Sequence, residues 1–363
     1  MTIKAGLVGL PNVGKSTLFN ALTKSQVPAE NYPFCTIDPH LAITNVPDYR
    51  LDELAKMYSS QKILPATMSF VDIAGLVKGA SQGEGLGNQF LSHIREVDLI
   101  LHVIRCFGDE AVDPLDHFDT IISELTLKDL ESIEKRQAKL QGMLKAAQNK
   151  PAEKKVIEAE QALLQKIVTA LNKSDTQTAQ TLLLNSKLKT VPLLCAKQFL
   201  VVANFSENDF MEDAYKENEH YQALLKTFGQ EKIIPVCAKT EYELTQMDST
   251  QAQEMMEMLG MHTKGLETVI KKAYDELAMI TFFTVGPKEA HAWPIKRETT
   301  IRSAAGEIHS DLERGFICSD IFNYTDIKKA GSESSLKTSG KIRTEGQEYL
   351  VQDGDIINVK FNV

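Results

Sequence analysis

The stretch Gly9-Leu10-Pro11-Asn12-Val13-Gly14-Lys15-Ser16 decides which fold this chain is expected to adopt. It ends an apolar run at residues 3–10 and opens a helix-compatible segment at residues 17–22. A loop of the form G-x-x-x-x-G-K-S wraps backbone N–H groups around the α- and β-phosphates of a nucleotide, with its lysine at the β/γ-phosphates and its serine hydroxyl facing Mg²⁺. The following helix N-terminus adds partial positive charge. Strand, glycine loop and helix together therefore predict a phosphate-binding loop.

Nucleotide contacts are expected from six residues where the loop meets the helix: Asn12, Val13, Gly14, Lys15, Ser16 and Thr17. Lys15 is also an expected catalytic residue, because an ammonium group there can stabilise charge that develops on the phosphates. Ser16 is an expected ligand of Mg²⁺. The substrate class that this loop predicts is a nucleoside triphosphate.

The composition is that of an ordinary globular chain with room for two or three domains: 363 residues, 43% hydrophobic and 25% charged. A net charge of −9 argues against general polyanion binding, so any nucleic-acid contact must come from a local patch. The five cysteines never form C-x-x-C, which predicts neither a disulfide framework nor a zinc site. No leader pattern or long apolar run is present, and we expect a cytoplasmic protein without membrane contact.

Apolar β-like runs alternate with helical segments, which predicts an α/β fold with a mostly parallel sheet. The runs lie at residues 3–10, 41–46, 68–73, 99–106, 199–205 and 233–237. In such a sheet, ligands bind beyond the carboxyl ends of the strands, where the loop at residues 9–16 falls.

A second nucleotide-binding element is Asp72-Ile73-Ala74-Gly75, at the end of the third run. Asp72 can hold the water shell of Mg²⁺ and is an expected catalytic residue, while the Gly75 amide can sense a γ-phosphate. Thr36 lies in the proline-bracketed loop at residues 31–39 and is an expected Mg²⁺ ligand when a γ-phosphate is present. An ordinary loop threonine is the alternative interpretation of Thr36.

The residue that orients the attacking water is not identified by the sequence. Many GTPases place a glutamine directly after the D-x-x-G glycine, but Leu76 has no polar group for this task. His93 and His102 are not expected to replace it; His102 lies inside an apolar run, where packing in the core is the simpler interpretation. Glycines at residues 76–87 predict a mobile switch.

The base is expected to lie beside Asn204-Phe205-Ser206-Glu207, where GTPases typically carry N-K-x-D. Glu207 cannot reproduce the bidentate contact of that aspartate with guanine, and losing such a contact costs about 1–3 kcal/mol of discrimination. We expect Phe205 to stack directly on either purine and Asn204 to bond a purine edge while bracing the phosphate loop. Residues 237–239 are expected to close over the base. ATP is therefore the expected nucleotide, with GTP as the alternative.

Residues 124–194 are expected to form an inserted helical hairpin with a coiled-coil seam, because apolar residues recur at 3-4 spacing on both sides of a break at residues 149–151. The predicted seam positions in the second helix are Val156, Ala159, Leu163, Ile167 and Ala170. Residues 124–190 carry twelve Lys and Arg against eight Asp and Glu, and the lysines at the predicted tip are Lys145, Lys150, Lys154 and Lys155. Such a tip can contact an RNA backbone, and a solvated helical face is the alternative.

From residue 279 onward, short apolar runs separated by glycine turns predict a small, mostly β module. The predicted strands include residues 281–285, 349–351 and 356–361. The segments at residues 304–311 and 353–355 resemble a TGS domain, a β-grasp-like module whose resemblance implies contact with RNA or the ribosome.

The phosphate loop, residues 31–39 and residues 72–88 together resemble the YchF/Obg-like ATPase family. The resemblance implies a Ras-like P-loop NTPase domain at residues 1–123 plus 195–278, the helical insertion at 124–194 and a TGS-like domain at 279–363. It also implies Mg²⁺-dependent ATP hydrolysis coupled to the ribosome or rRNA, and the N-x-x-E at 204–207 marks its ATP-preferring members. Many members carry a longer, histidine-containing loop after the fourth β-run; this chain departs from them, and no histidine is carried over.

Two other functions stay open at this level. One is a regulatory binding protein whose nucleotide fixes a conformation with little turnover, and the other is an Obg-like GTPase assembly factor. Tighter binding of GTP than of ATP would favour the assembly factor. The oligomeric state is not assigned.

Overall fold

The computed structural model describes residues 3–25, 40–73, 86–108, 113–186, 188, 190–261 and 263–362. The chain divides into two compact units. One unit comprises residues 1–5, 17–71 and 239–363, and the other comprises residues 6–16 and 72–238. The described residues include no helix that is both long enough and apolar enough to cross a membrane.

The first sheet is built from the six apolar runs in the sequence. Its strands are β1 (Lys4–Val8), β2 (Leu41–Asn45), β4 (Thr67–Asp72), β5 (Leu99–Arg105), β6 (Phe199–Asn204) and β7 (Ile233–Val236), in the order β2-β4-β1-β5-β6-β7. Strands β5, β6 and β7 pair in parallel, whereas β2 pairs antiparallel with β4. Every residue of β5 except the last is buried, as expected for a strand covered on both faces.

The helices of this part of the chain alternate with those strands. They are α1 (Lys15–Lys24), α2 (Tyr49–Tyr58), α3 (Leu86–Glu96), α7 (Glu207–Phe210), α8 (Glu219–Phe228), α9 (Ala238–Leu244), α10 (Ser249–Met258) and α11 (Gly265–Glu276). Two 3₁₀ helices, Met211–Glu217 and Gln230–Lys232, flank α8. Because strands and helices alternate in this way, a ligand can bind in the loops that follow the carboxyl ends of β1, β4, β5 and β6.

The helical insertion contains three helices: α4 (Pro114–Ala146), α5 (Pro151–Leu171) and α6 (Thr176–Leu184). Helix α4 begins at Pro114, capped by the Asp113 carboxylate, and therefore starts before the expected boundary at residue 124. Proline at the first helical position fits both α4 and α5, because its missing N–H would be unpaired there. The break at residues 149–151 separates the two long helices, in agreement with the sequence.

The predicted seam of α5 is wrong by one residue at its first three positions, whereas Ile167 and Ala170 are buried as predicted. Val156 is 55% exposed, and the buried positions are instead Ile157, Glu160 and Leu164. Glu160 occupies an apolar-type position because the Arg136 guanidinium on α4 donates two hydrogen bonds to its carboxylate, at 2.8 and 2.9 Å. A pattern based on apolar residues alone misses a seam position that an ion pair fills.

The second sheet has the order β11-β10-β12-β8-β9-β3. Its strands are β3 (Lys62–Leu64), β8 (Met279–Val285), β9 (Glu289–Lys296), β10 (Phe316–Asn323), β11 (Arg343–Glu345) and β12 (Asp355–Phe361), and its helices are α12 (Ile301–Ile308), α13 (Ser310–Arg314), α14 (Tyr324–Ala330) and α15 (Glu333–Thr338). The expected strand at residues 349–351 is wrong: only an isolated bridge joins Leu350 to Thr300. Strand β3 comes from the distant segment between β2 and β4, which the sequence did not predict.

Candidate nucleotide-binding site

The phosphate loop follows β1 and has the backbone conformation that its glycines allow. Gly14 has φ +89°, and a Cβ at this position would lie 2.1 Å from Nδ2 of Asn204. A Cβ on Gly9 would lie 2.8 Å from the carbonyl oxygen of Val103 on β5. Asn12 is also left-handed, with φ +63°, a conformation that asparagine tolerates better than most residues. The loop therefore requires glycine at both ends of its consensus because of close packing and backbone geometry.

Lys15 is the first residue of α1, and its ammonium group forms an ion pair with the Asp72 carboxylate at the end of β4. Lys15 is buried, with 8% of its surface exposed, whereas the neighbouring Ser16 is exposed. The first N–H groups of a helix have no partner within the helix and favour an anion. An incoming phosphate would compete with Asp72 for the Lys15 ammonium group.

Oxygen donors suitable for Mg²⁺ are present at this place. Ser16 offers a hydroxyl and Asp72 a carboxylate, and hard cations such as Mg²⁺ prefer oxygen ligands and retain several waters. These residues fit the ion that the loop predicts. Thr17, the third residue of α1, is half-buried. Thr36, Gly75 and Leu76, together with most of residues 76–87, lie outside the described residues, so their expected roles remain predictions.

Asn204 connects the phosphate loop to the loop after β7. Its side-chain amide donates to the Val13 carbonyl oxygen at 2.9 Å, and its side-chain oxygen accepts from the Ala238 N–H at 2.9 Å. Asn204 is 4% exposed, and Val13 and Ala238 are 1% exposed each. The expected bracing of the phosphate loop by Asn204 is thus present in this geometry, and a bond from Asn204 to a purine stays a prediction.

Phe205 lies in the core and not on the surface of the site. Its ring is 2% exposed and packs against Tyr215 and Tyr221, with ring centroids 5.6 and 6.0 Å away. Ile104 and Cys106 belong to the same buried cluster. The expected direct stacking of Phe205 on a base therefore finds no support in this conformation, because the ring is already covered by protein.

Glu207 is the first residue of α7 and lies within a capping box formed by Ser206 and Asp209. The Ser206 hydroxyl accepts a hydrogen bond from the Asp209 N–H at 3.3 Å, and the Asp209 carboxylate accepts from the Ser206 N–H at 3.3 Å. This box fixes the backbone that carries the half-buried Glu207. The S-x-x-D spacing at residues 206–209 is the sequence signal that could have predicted this capping box. Cys237, in the loop after β7, is buried, and Lys239 is exposed.

His102 and His117 are two of the histidines near this sheet. His102 on β5 is fully buried between the rings of Phe118 and Phe199, and burial lowers its pKa to about 3. The expected packing of His102 in the core is confirmed. His117 lies within α4; burial, followed by the nearby Arg105, lowers its pKa as well. Both imidazoles are therefore neutral near pH 7.

Strand, glycine loop and helix, with the loop lysine held by the acidic residue at the end of β4, define a P-loop nucleotide-binding protein. A family model described as a 50S ribosome-binding GTPase matches residues 4–173. A model of the YchF GTPase C-terminal domain, described as a protein of unknown function, matches residues 279–362.

Relatives match over the whole chain. It is 43% identical to the ribosome-binding ATPase YchF of Bacillus subtilis, with 100% of both chains covered, and 41% identical to Obg-like ATPase 1 of Oryza sativa subsp. japonica, covering 99% of this chain and 92% of the relative. The structure of the Schizosaccharomyces pombe YchF GTPase superposes with a TM-score of 0.84 at 35% identity, covering 99% and 98%. The chain belongs to the YchF/Obg-like ATPase family, and the expected α/β P-loop domain, helical insertion and TGS-like C-terminal module are confirmed.

Proposed function

We propose that this protein is a ribosome-binding ATPase that hydrolyses ATP to ADP and phosphate with Mg²⁺. The observation that carries the proposal is the Lys15–Asp72 pair at the N-terminus of α1, beside a tightly packed glycine loop and the first N–H groups of that helix, which have no partner within the helix. Relatives that match the full chain bear the names ribosome-binding ATPase YchF and Obg-like ATPase 1. The proposed setting is the cytoplasm, where ribosomes are found.

The chemistry divides between the loop and the acidic strand end. The Lys15 ammonium group and the N–H groups at the start of α1 would bind the phosphates and stabilise the charge that develops as the β–γ bond breaks. Ser16, with Thr36 as a further ligand, would hold Mg²⁺, and Asp72 would accept hydrogen bonds from the waters of the ion. When bound, Mg²⁺ neutralises phosphate charge. The Gly75 amide is proposed to contact the γ-phosphate.

ATP preference is proposed to depend on Glu207 and not on Phe205. The capping box beside Glu207 holds its backbone in one position, and its carboxylate is one methylene longer than the aspartate that recognises guanine. A relative titled YchF GTPase and a family model described as a GTPase keep GTP as the second candidate substrate.

Ribosome contact is proposed to involve rRNA at the tip of the helical insertion and at the TGS-like module. Lys145, Lys150, Lys154 and Lys155 are all exposed at that tip. Two of the four are paired with glutamates of α5, Lys150 with Glu153 at 2.9 Å and Lys154 with Glu158 at 3.8 Å. Exposed pairs of this kind are weak, so phosphates can displace the glutamates.

Equilibrium binding and turnover of the full chain test the proposal. We expect tighter binding of ATP than of GTP with Mg²⁺, a shift toward GTP in Glu207→Asp, and ATP turnover that rises when ribosomes are added. Lys15→Met should lower turnover roughly 10²- to 10³-fold, as for the loss of one group that stabilises the transition state. Lys24→Met, at the opposite end of α1, is the matched control and should retain activity.

Each alternative has its own outcome. Tighter binding of GTP in the parent protein would replace ATPase with GTPase. Ribosome binding that is independent of nucleotide, with no stimulated turnover, would favour the regulatory binding protein instead.

A further inference from the structure

Residues 46–66 leave the first sheet as an excursion between two paired strands. Strands β2 and β4 are antiparallel partners, from Leu41 opposite Val71 to Asn45 opposite Thr67. The Val46 N–H donates to the Ala66 carbonyl at 2.8 Å and closes the base of the excursion. Its body consists of α2 and β3. Both ends of the excursion are therefore fixed by the same strand pair, of which β4 ends at Asp72.

The far end of the excursion is a strand of the C-terminal module (residues 279–362). Strand β3 pairs in parallel with β9, with Lys62 opposite Glu289 and Leu64 opposite His291. Further backbone bonds extend the contact: the Gln61 N–H donates to Pro287 at 3.1 Å and the Lys62 N–H to Lys288 at 3.2 Å. Backbone pairing of this kind fixes register and orientation.

Arg50 on α2 adds a polar contact of fixed geometry. Its guanidinium donates to the Asp353 carboxylate at 2.6 Å and lies 5.3 Å from the centre of the Phe283 ring. The same carboxylate accepts the Thr281 N–H of β8 at 2.9 Å. Burial alone would lower the pKa of Arg50, but hydrogen bonds and charges from Asp48 and Asp353 raise it well above its usual value. The guanidinium therefore stays charged and joins α2 to the middle of the second sheet.

A second group of contacts lies farther along α2. The Glu53 carboxylate pairs with the Lys328 ammonium group at 2.9 Å and accepts the Tyr324 hydroxyl, both from α14. The module also follows α11 after only two residues, Leu277 and Ala278. The C-terminal module thus has a short covalent connection at one place and a hydrogen-bonded strand at another, and two such attachments restrict rotation about a single linker.

We propose that residues 46–66 act as a rigid strut that carries the nucleotide state from the end of β4 to the C-terminal module, through β3 and the Arg50–Asp353 contact. The proposal rests on the proposed function, because a bound nucleotide must supply the change at Asp72. Triphosphate competes with Asp72 for Lys15, so the electrostatic surroundings of the last residue of β4 differ between the free and bound states. Strand β4 connects Asp72 to the base of the strut at Ala66, and the strut continues from there to the second sheet.

Amide hydrogen exchange on the full chain tests the strut, with Mg²⁺ and an ATP analogue whose β–γ bond cannot be hydrolysed. In the parent protein we expect the analogue to slow exchange at Gln61, Lys62 and Thr281 by about fivefold or more, the lower end of usual coupling between sites. Arg50→Met should bind the analogue normally but lose the slower exchange in the module. Asp353→Asn, which keeps an acceptor for Thr281, is the second variant and should show the same loss.

Lys341→Met is the matched control, because Lys341 pairs with Asp326 at 2.6 Å inside the C-terminal module and does not contact the strut. It should bind the analogue and keep the exchange response. Normal binding without any response in the parent would overturn the strut and leave the proposed function intact. Unchanged responses in both Arg50→Met and Asp353→Asn would also overturn it. Failure of the parent to bind the analogue would overturn both proposals.

Discussion

The two ends of the nucleotide site are built in different ways. At the phosphate end, one contiguous loop and the start of α1 supply the backbone conformation, as the left-handed Gly14 illustrates. At the proposed base end, residues 204–207 follow β6, and the surrounding core decides which side chains remain accessible. Phe205 is adjacent to Asn204 in sequence, yet it packs into an aromatic cluster while Asn204 bridges two loops. A contiguous backbone motif thus predicts geometry well, whereas side-chain roles beside a strand depend on tertiary burial.

Among the substitutions that test this contrast, the one at Phe205 is expected to change the free energy of unfolding most. Phe205→Ala should lower the free energy of unfolding by about 3–5 kcal/mol, because a buried ring is removed from a packed cluster. The ratio of ATP to GTP affinity of the folded protein should not change. Denaturant unfolding and equilibrium nucleotide binding measure the two quantities.

Phe210→Ala provides the comparison variant for Phe205. Phe210 is half-buried and stacks on Tyr215 with ring centroids 5.2 Å apart, at the rim of the same cluster. Its loss should destabilise less than the loss of Phe205. A changed nucleotide preference in Phe205→Ala, without a comparable change in Phe210→Ala, would mean that the buried ring does reach the base.

Asn204→Ala would break the link between the two ends. The substitution leaves the buried Ala238 N–H without its acceptor, which costs about 1–3 kcal/mol of unfolding free energy. Binding of ATP and GTP should weaken by the same factor, since the phosphate loop loses its brace to Val13. Calorimetric titration with each nucleotide checks this. Asn218→Ala removes the cap of α8 and should destabilise the fold without altering nucleotide affinity.

The smallest effect near neutral pH is expected at His102. Its folded-state pKa of about 3 lies below the ordinary value near 6.5, so only the unfolded chain binds this proton between those values. Stability from neutral His102 is fully present above about pH 6.5 and declines as pH falls toward 3, by up to about 1.4 kcal/mol per pH unit.

His102→Leu should therefore flatten the fall in stability between pH 6.5 and 4, measured by urea unfolding across that range. A parent-like slope in His102→Leu would show that other groups cause the acid sensitivity.

Much of the fold could be predicted because its signals are local. All six expected runs became strands of the first sheet, since each is an apolar segment that a doubly covered sheet can bury. Strand β3 could not be found in this way: it has three residues, and its partner β9 is remote in sequence. The predictions for Glu160 and Phe205 were wrong for a related reason. Arg136, distant in sequence, pairs with Glu160 and allows a polar residue at a buried position. Aromatic rings that are also distant in sequence cover Phe205.

The pairing of β3 with β9 also has a consequence for synthesis of the chain. Residues 62–64 leave the ribosome early, but their partner Glu289–His291 is made only after the helical insertion and most of the remaining chain. Contacts so distant in sequence form slowly, because a long loop must close before they contribute stability. The outer edge of β9 is complete only when the early segment is already in place, so the C-terminal module made alone would expose that edge to other strands and to aggregation.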